Sequence, residues 1–202
     1  VLHPATSLGE IDGQNGDMDT DAVQVFAALL TVVTWIGTVV VGVSWALRGR
    51  VTWARTVHEA VSETALWLAW VVVAGAMLGS LYMSEVANYV PCTLCWYQRI
   101  AMYSLAVILL VAAIRRDLSV RWYALPIAVI GLVIAIYHYF VEWFPQIETN
   151  VCSLTLPCSN VWFREFGFIS LPLMAASAFV FVITVLATTS RITARPTTGD
   201  PS

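Results

Sequence analysis

Five uninterrupted apolar segments constrain this chain more than any other feature. They run over Ala22–Leu47, Thr64–Ser84, Trp96–Ile114, Trp122–Val141 and Phe166–Ser190. Each is long enough to cross a hydrocarbon layer, which takes about 20 helical residues. Inside such a layer every backbone N–H and C=O must find its partner within the protein, so helices are the expected form. Of all residues 59% are hydrophobic and 11% charged, against roughly 25% charged in soluble domains. That balance excludes an ordinary soluble domain. The predicted fold is an all-α integral membrane protein. Pro126 and Pro172 fall near the starts of their segments, where a missing N–H costs little.

The chain has no lysine, and its arginines are sorted. Arg48, Arg50 and Arg55 follow the first segment; Arg115, Arg116 and Arg121 separate the third and fourth; Arg191 and Arg195 follow the fifth. With five crossings all three groups share one side, which the positive-inside rule makes cytoplasmic. The amino terminus is then outside and the carboxyl terminus cytoplasmic. The domain reading is an acidic disordered outer tail over 1–21, a membrane helix over 22–47 and a cytoplasmic connection over 48–63. Four further crossings over 64–190 and a cytoplasmic tail over 191–202 follow. The first segment lacks the basic flank and short apolar core of a secretory signal. Met18 is a candidate natural start, and the topology is the same either way.

The same topology places "PCTLCWYQRI" and "CSLTLPCSN" on the outer side, an oxidising compartment where disulfides persist. Cys92 and Cys95 open the third segment. Unpaired N–H groups at a helix start stabilise a thiolate, and Arg99 adds a fixed charge. Spacings of seven and four put Cys92, Cys95 and Arg99 on one helical face. Residues three apart on a regular helix have Cβ atoms about 5–6 Å apart, whereas a relaxed disulfide needs about 3.8 Å. A Cys92–Cys95 disulfide is therefore expected to distort the first turn and to reduce easily. Cys152 and Cys158 sit among turn formers in a loop read as exposed and mobile. An exposed disulfide is open to a partner's thiolate, although a structural clasp is an equally simple use of such a pair. A zinc site using all four cysteines fits the count but would compete with oxidation. His138 is expected at the depth of Cys95 and Arg99, donating to a carbonyl or relaying a proton, with Glu142 one turn on to orient it. The aromatic stretch "NVWFREFGF" is expected along the outer membrane surface.

With these residues in place, the chain resembles the DsbB family of membrane thiol oxidases, and within it the shorter BdbC-type branch. The resemblance covers Thr64 to about Ala187 and rests on the CxxC, the downstream arginine, four spans and the second loop pair. It implies a four-helix core, so that the Ala22–Leu47 helix is extra. It implies that a DsbA-like thioredoxin-fold oxidase, once reduced, attacks the loop disulfide. Cys152 would form the mixed disulfide and Cys158 would be its partner; electrons pass to Cys92/Cys95 and then to a bound quinone, ubiquinone or menaquinone. Arg99 matches the family arginine placed against the quinone, and His138 matches a looser region. Vitamin K epoxide reductase-like proteins also join a loop pair to a CxxC beside a quinone, but their CxxC follows the loop pair, whereas here it precedes it. A membrane scaffold with two structural disulfides is the non-enzymatic alternative. A DsbA-type partner near −120 mV lies about 180 mV above ordinary structural disulfides, about 8 kcal/mol for two electrons. Active disulfides here must be easily reduced or drawn forward by a strong acceptor.

Overall fold

The computed structural model describes residues 8–149, 151–152 and 157–189, with side chains from 20 onward. Five α-helices account for nearly all of it: α1 Leu8–Leu47, α2 Thr52–Glu85, α3 Thr93–Arg115, α4 Arg121–Trp143 and α5 Leu171–Thr188. All five are long and apolar enough to cross a membrane. No strand occurs among the described residues, only an isolated bridge between Glu165 and Ile169.

α2, α3, α4 and α5 close a four-helix ring, and α1 lies outside it against α5 and α2. Between membrane helices there is no water to expel, so close packing of small side chains carries the association. The contact surfaces follow that rule, with Ala65, Ala69, Ala106, Ala124, Ala128 and Ala178 all buried. α5 supplies the bulk, as Phe179, Val182, Val185 and Leu186 are fully buried. Gly131 on α4 faces the Phe179 ring so closely that an added Cβ would overlap it. The outward faces stay apolar, for example Phe26, Val33, Val71, Val107, Ile130 and Val133, as a lipid-facing surface requires.

The element ends differ from the sequence reading in three places. α1 is helical from Leu8, inside the stretch read as a disordered tail. Helix propagation is cheap once a long helix is nucleated, so it runs on upstream. Most of the connection over 48–63 belongs to α2, which starts at Thr52. The part of that connection inside α2 has no glycine or proline, and Arg55 and Glu59 face each other one turn apart at 3.8 Å. The fifth helix begins at Leu171 and not at Phe166. Phe166 (φ 51°) and Gly167 (φ 79°) form a tight turn instead, closed by paired backbone bonds of 2.8 Å between Glu165 and Ile169. Pro172 then sets the helical φ of the first turn. Arg191, Arg195 and the tail over 191–202 lie outside the described residues.

Gly131→Ala is expected to destabilise the bundle by about 1–3 kcal/mol through overpacking against Phe179. Thermal unfolding in detergent measures it; an unchanged midpoint would mean that the ring has room to move.

Candidate functional site

Pro91 precedes α3, and Cys92 is its N-cap, with extended backbone (φ −72°, ψ 174°). Cys92 therefore stands just outside the helix, and the regular-helix spacing assumed for the pair does not hold. Its sulfur accepts a hydrogen bond from the Cys95 backbone N–H at 3.4 Å, the role a serine oxygen plays at other helix starts. The two thiols are free, with their sulfurs 3.1 Å apart. Cys92 is buried and Cys95 partly exposed. The hydrogen bond with Cys95 holds the Cys92 thiol well below its usual range, against the opposing effect of burial, and the nearby His138 imidazole adds to it.

His138, from α4, is 2% exposed. Its Nε2 lies 3.6 Å from Cys92 Sγ and 3.1 Å from the Cys158 carbonyl oxygen. The carbonyl contact expected from the sequence is thus present. Its Nδ1 lies 2.8 Å from Gln98 Nε2. With the Gln98 amide donating, Nδ1 is an acceptor and Nε2 carries the proton, which it offers to the carbonyl and the thiol. Gln98 orients the ring. Glu142, expected in that role, instead accepts a 2.5 Å hydrogen bond from the Ser170 hydroxyl.

Cys152 and Cys158 are joined in a disulfide. The two ends of this loop pair differ sharply: Cys158 is fully buried and Cys152 half-buried. Cys158 packs in one apolar cluster with Cys92, Leu94 and Val141. The loop read as exposed is therefore folded back onto the CxxC at its Cys158 end. Glu148 fixes it there, accepting from the Cys158 backbone N–H at 2.7 Å and the Ser159 hydroxyl at 2.9 Å. Tyr137 donates to the Ile147 carbonyl at 3.0 Å. The tip over 153–156 lies outside the described residues.

Arg99 takes a separate position. Its Nε donates to the Ser80 hydroxyl at 2.9 Å and its Nη2 to the Ser80 carbonyl at 2.7 Å, both on α2. The guanidinium also lies over the Trp96 ring, 5.5 Å from its centroid. Arg99 follows Cys95 by one turn and reaches to α2, while Gln98, three residues on from Cys95, meets His138 of α4. Of the six residues singled out in the sequence, the four cysteines gather in one cluster that His138 joins through Cys92 and Cys158, and Arg99 stands one turn beyond Cys95. Asn160–Phe168 does not simply lie flat on a surface: Trp162 and Phe163 turn inward and line a cleft with Val90, Cys92, Cys95 and His138. Sequence reasoning missed Gln98 and Glu148. For Gln98 the available signal was an amide one turn from Cys95. Glu148 carried no signal that sets it apart from any other interfacial carboxylate.

Two donor sets are compact enough to consider for a metal: Cys92, Cys95 and His138, and Glu148, Cys152 and Cys158. The sulfurs of the second set are spent in a disulfide, so the four cysteines do not form one tetrathiolate site in this state.

His138→Ala removes the imidazole beside Cys92 and is expected to raise the Cys92 thiol pKa. The half-maximum for alkylation of reduced Cys92 is expected to move to higher pH, while the hydrogen bond with Cys95, the larger cause of the lowered pKa, stays in place. An unmoved pH profile would show that the imidazole does not stabilise the thiolate.

Residues 62–189, more than half of the chain, match the family model described as disulfide bond formation protein DsbB. Disulfide bond formation protein C of Bacillus subtilis is 45% identical over 119 residues, covering 58% of this chain and 86% of the relative. A probable disulfide formation protein of Oceanobacillus iheyensis is 46% identical over 123 residues, covering 60% and 85%. A probable disulfide formation protein of Coxiella burnetii is 40% identical over 124 residues, covering 60% and 84%. No solved structure gives a significant match. With a DsbB-type match spanning both cysteine pairs and all four core helices, the chain belongs to the DsbB family of disulfide bond formation proteins, membrane oxidoreductases of the thiol-oxidase kind.

Proposed function

We propose that this protein is a thiol:quinone oxidoreductase that reoxidises a DsbA-like, thioredoxin-fold oxidase outside the cytoplasmic membrane. The observation that carries the reading is the packing of Cys158, one end of a disulfide, against the free Cys92 thiol with His138 between them. Two disulfide-forming pairs stacked in this way support a relay better than two separate clasps. The cytoplasmic assignment of the Arg48, Arg50, Arg55, Arg115, Arg116 and Arg121 side rests on the positive-inside rule.

Burial sets the order of events. A partner thiolate attacks Cys152, the accessible sulfur, and Cys158 leaves as a thiolate. The partner's second thiolate attacks its own sulfur in the mixed disulfide, which oxidises the partner and frees Cys152. Cys158 attacks Cys92 of a Cys92–Cys95 disulfide, and Cys95 leaves as a thiolate. Cys152 then attacks Cys158, which restores the loop disulfide and frees Cys92. Two electrons have moved from the partner to Cys92/Cys95. The attack and leaving steps need a proton held close by, and His138 Nε2 is placed for that beside Cys92.

A quinone, when bound, supplies the acceptor of two electrons and two protons. The residues near Cys95 fit such a group. Cys95 is partly exposed, and Trp96 and Ile100 beside it are exposed apolar surface. Ser80 takes one N–H each from Nε and Nη2 of Arg99, which leaves the second Nη2 N–H and both Nη1 N–H groups to meet a ring carbonyl. His138 is engaged by Gln98, Cys92 and Cys158. Its contribution to the quinone is therefore through the sulfur it holds.

Purified protein is expected to reduce an added quinone when given a reduced thioredoxin-fold partner; no turnover with ubiquinone or menaquinone analogues in a folded sample would sink the proposal. Arg99→Ala should raise the quinone KM about tenfold, about 1.4 kcal/mol, with a smaller effect on the unfolding midpoint. An unchanged KM would remove Arg99 from the quinone site. A Cys158→Ser variant should trap the partner on Cys152, read by peptide mapping; a link through another cysteine would reassign the entry point.

A further inference from the structure

We propose that α1, which precedes the matched family region, is a clamp that sets the opening of the aromatic lid over Cys95. It acts through Gln24, which holds Tyr89, which holds Trp162. Gln24 is an amide in a helix that otherwise presents Phe26, Leu29, Leu30 and Val33 outward, yet it is only 5% exposed. An amide left unpaired in such surroundings is costly. Gln24 avoids that cost by donating from Nε2 to the Tyr89 hydroxyl oxygen at 2.7 Å. Tyr89 lies three residues before Cys92, in the link between α2 and α3. Its ring stacks on Trp162 with centroids 4.7 Å apart and planes 10° apart, and meets Phe163 at 6.3 Å. Trp162 and Phe163 line the cleft that holds Cys92, Cys95 and His138.

A second tether reaches the far end of the same segment. The Trp35 ring stacks with Phe168 at 6.2 Å, and its indole N–H donates to the Ser177 hydroxyl at 2.6 Å. The lid segment thus meets α1 through Tyr89 at one end and directly at Phe168 at the other. Gln24 and Tyr89 are positioning residues: neither lines the cleft, and both act through the Trp162 and Phe163 rings. The inference deepens the proposed reading of this site, because the cleft is where a relay must admit a partner to sulfur.

The test uses the full chain in detergent with Cys92→Ser, which keeps a capping residue and leaves Cys95 free while the loop disulfide stays closed. The probe is a sulfonated, membrane-impermeant maleimide, with peptide-resolved labelling of Cys95 and the unfolding midpoint measured in parallel. Gln24→Leu and Tyr89→Phe each remove the hydrogen bond while keeping the volume, and Tyr89→Phe also keeps the stacking ring. Each is expected to speed Cys95 labelling about fivefold, Gln24→Leu at an unchanged midpoint and Tyr89→Phe, which leaves the Gln24 amide unpaired, at a lowered one; the double variant is expected to label no faster than the single ones. Unchanged labelling in Tyr89→Phe, effects that multiply in the double variant, or faster labelling in Gln24→Leu seen only with a lowered midpoint would each overturn the clamp. Should Gln24→Leu fail to fold, Tyr89→Phe alone still decides it. Labelling needs neither quinone nor partner, so absent quinone turnover would count against the proposed function and leave this result standing.

Discussion

A hydrocarbon layer offers no hydrogen-bond partner, and that constraint organises everything at the cysteine end of this bundle. Five polar side chains at the cysteine site and around it are met by others from different elements. Gln98 of α3 meets His138 of α4, and Arg99 of α3 meets Ser80 of α2. Glu142 of α4 meets Ser170 at the start of α5, Trp35 of α1 meets Ser177 of α5, and Gln24 of α1 meets Tyr89. Leaving one partner of such a pair unmet costs more than the bond itself contributes. The pairs therefore fix how the helices stand relative to one another where small-residue packing alone would allow sliding. The chemistry and the architecture share the same residues.

The disulfide loop is held by the same logic. A six-residue separation between Cys152 and Cys158 leaves the loop too short to form a core of its own. It is seated by the Glu148 carboxylate, which takes up the Cys158 N–H and the Ser159 hydroxyl. Charge-assisted bonds of this kind are stronger than neutral ones. They bury Cys158 against Cys92 and leave its partner sulfur half-exposed. One bond thus has an accessible end and a protected end.

The spans were legible because length and apolarity decide membrane crossing, and every one of the five segments corresponds to a helix. Their ends were less so. The start of α5 depends on a two-residue left-handed turn at Phe166–Gly167, and hydropathy does not register backbone handedness. The four cysteines were legible by residue type and spacing, and the carbonyl contact of His138 by depth. Gln98, Glu148 and Tyr89 were not, because an amide, a carboxylate and a phenol have no motif; their roles exist only through partners 40, 10 and 65 residues away. The burial of Cys158 was hidden for the opposite reason: turn-forming neighbours signal exposure, and a single carboxylate outweighs them.

The separation of His138 from Arg99 has a physical sense. A thiolate is costly in a low-dielectric layer, so sulfur exchange belongs at the helix start, where the Cys95 N–H, an imidazole and a second thiol all converge on Cys92. A fixed guanidinium placed on that same sulfur would favour its thiolate at every pH. Arg99 is instead turned to the α2 side, tied to Ser80 and stacked on Trp96. There it stands one turn from Cys95. Two thiols whose sulfurs lie 3.1 Å apart thus have different neighbours: an imidazole and a backbone N–H meet Cys92, and a guanidinium stands one turn on from Cys95.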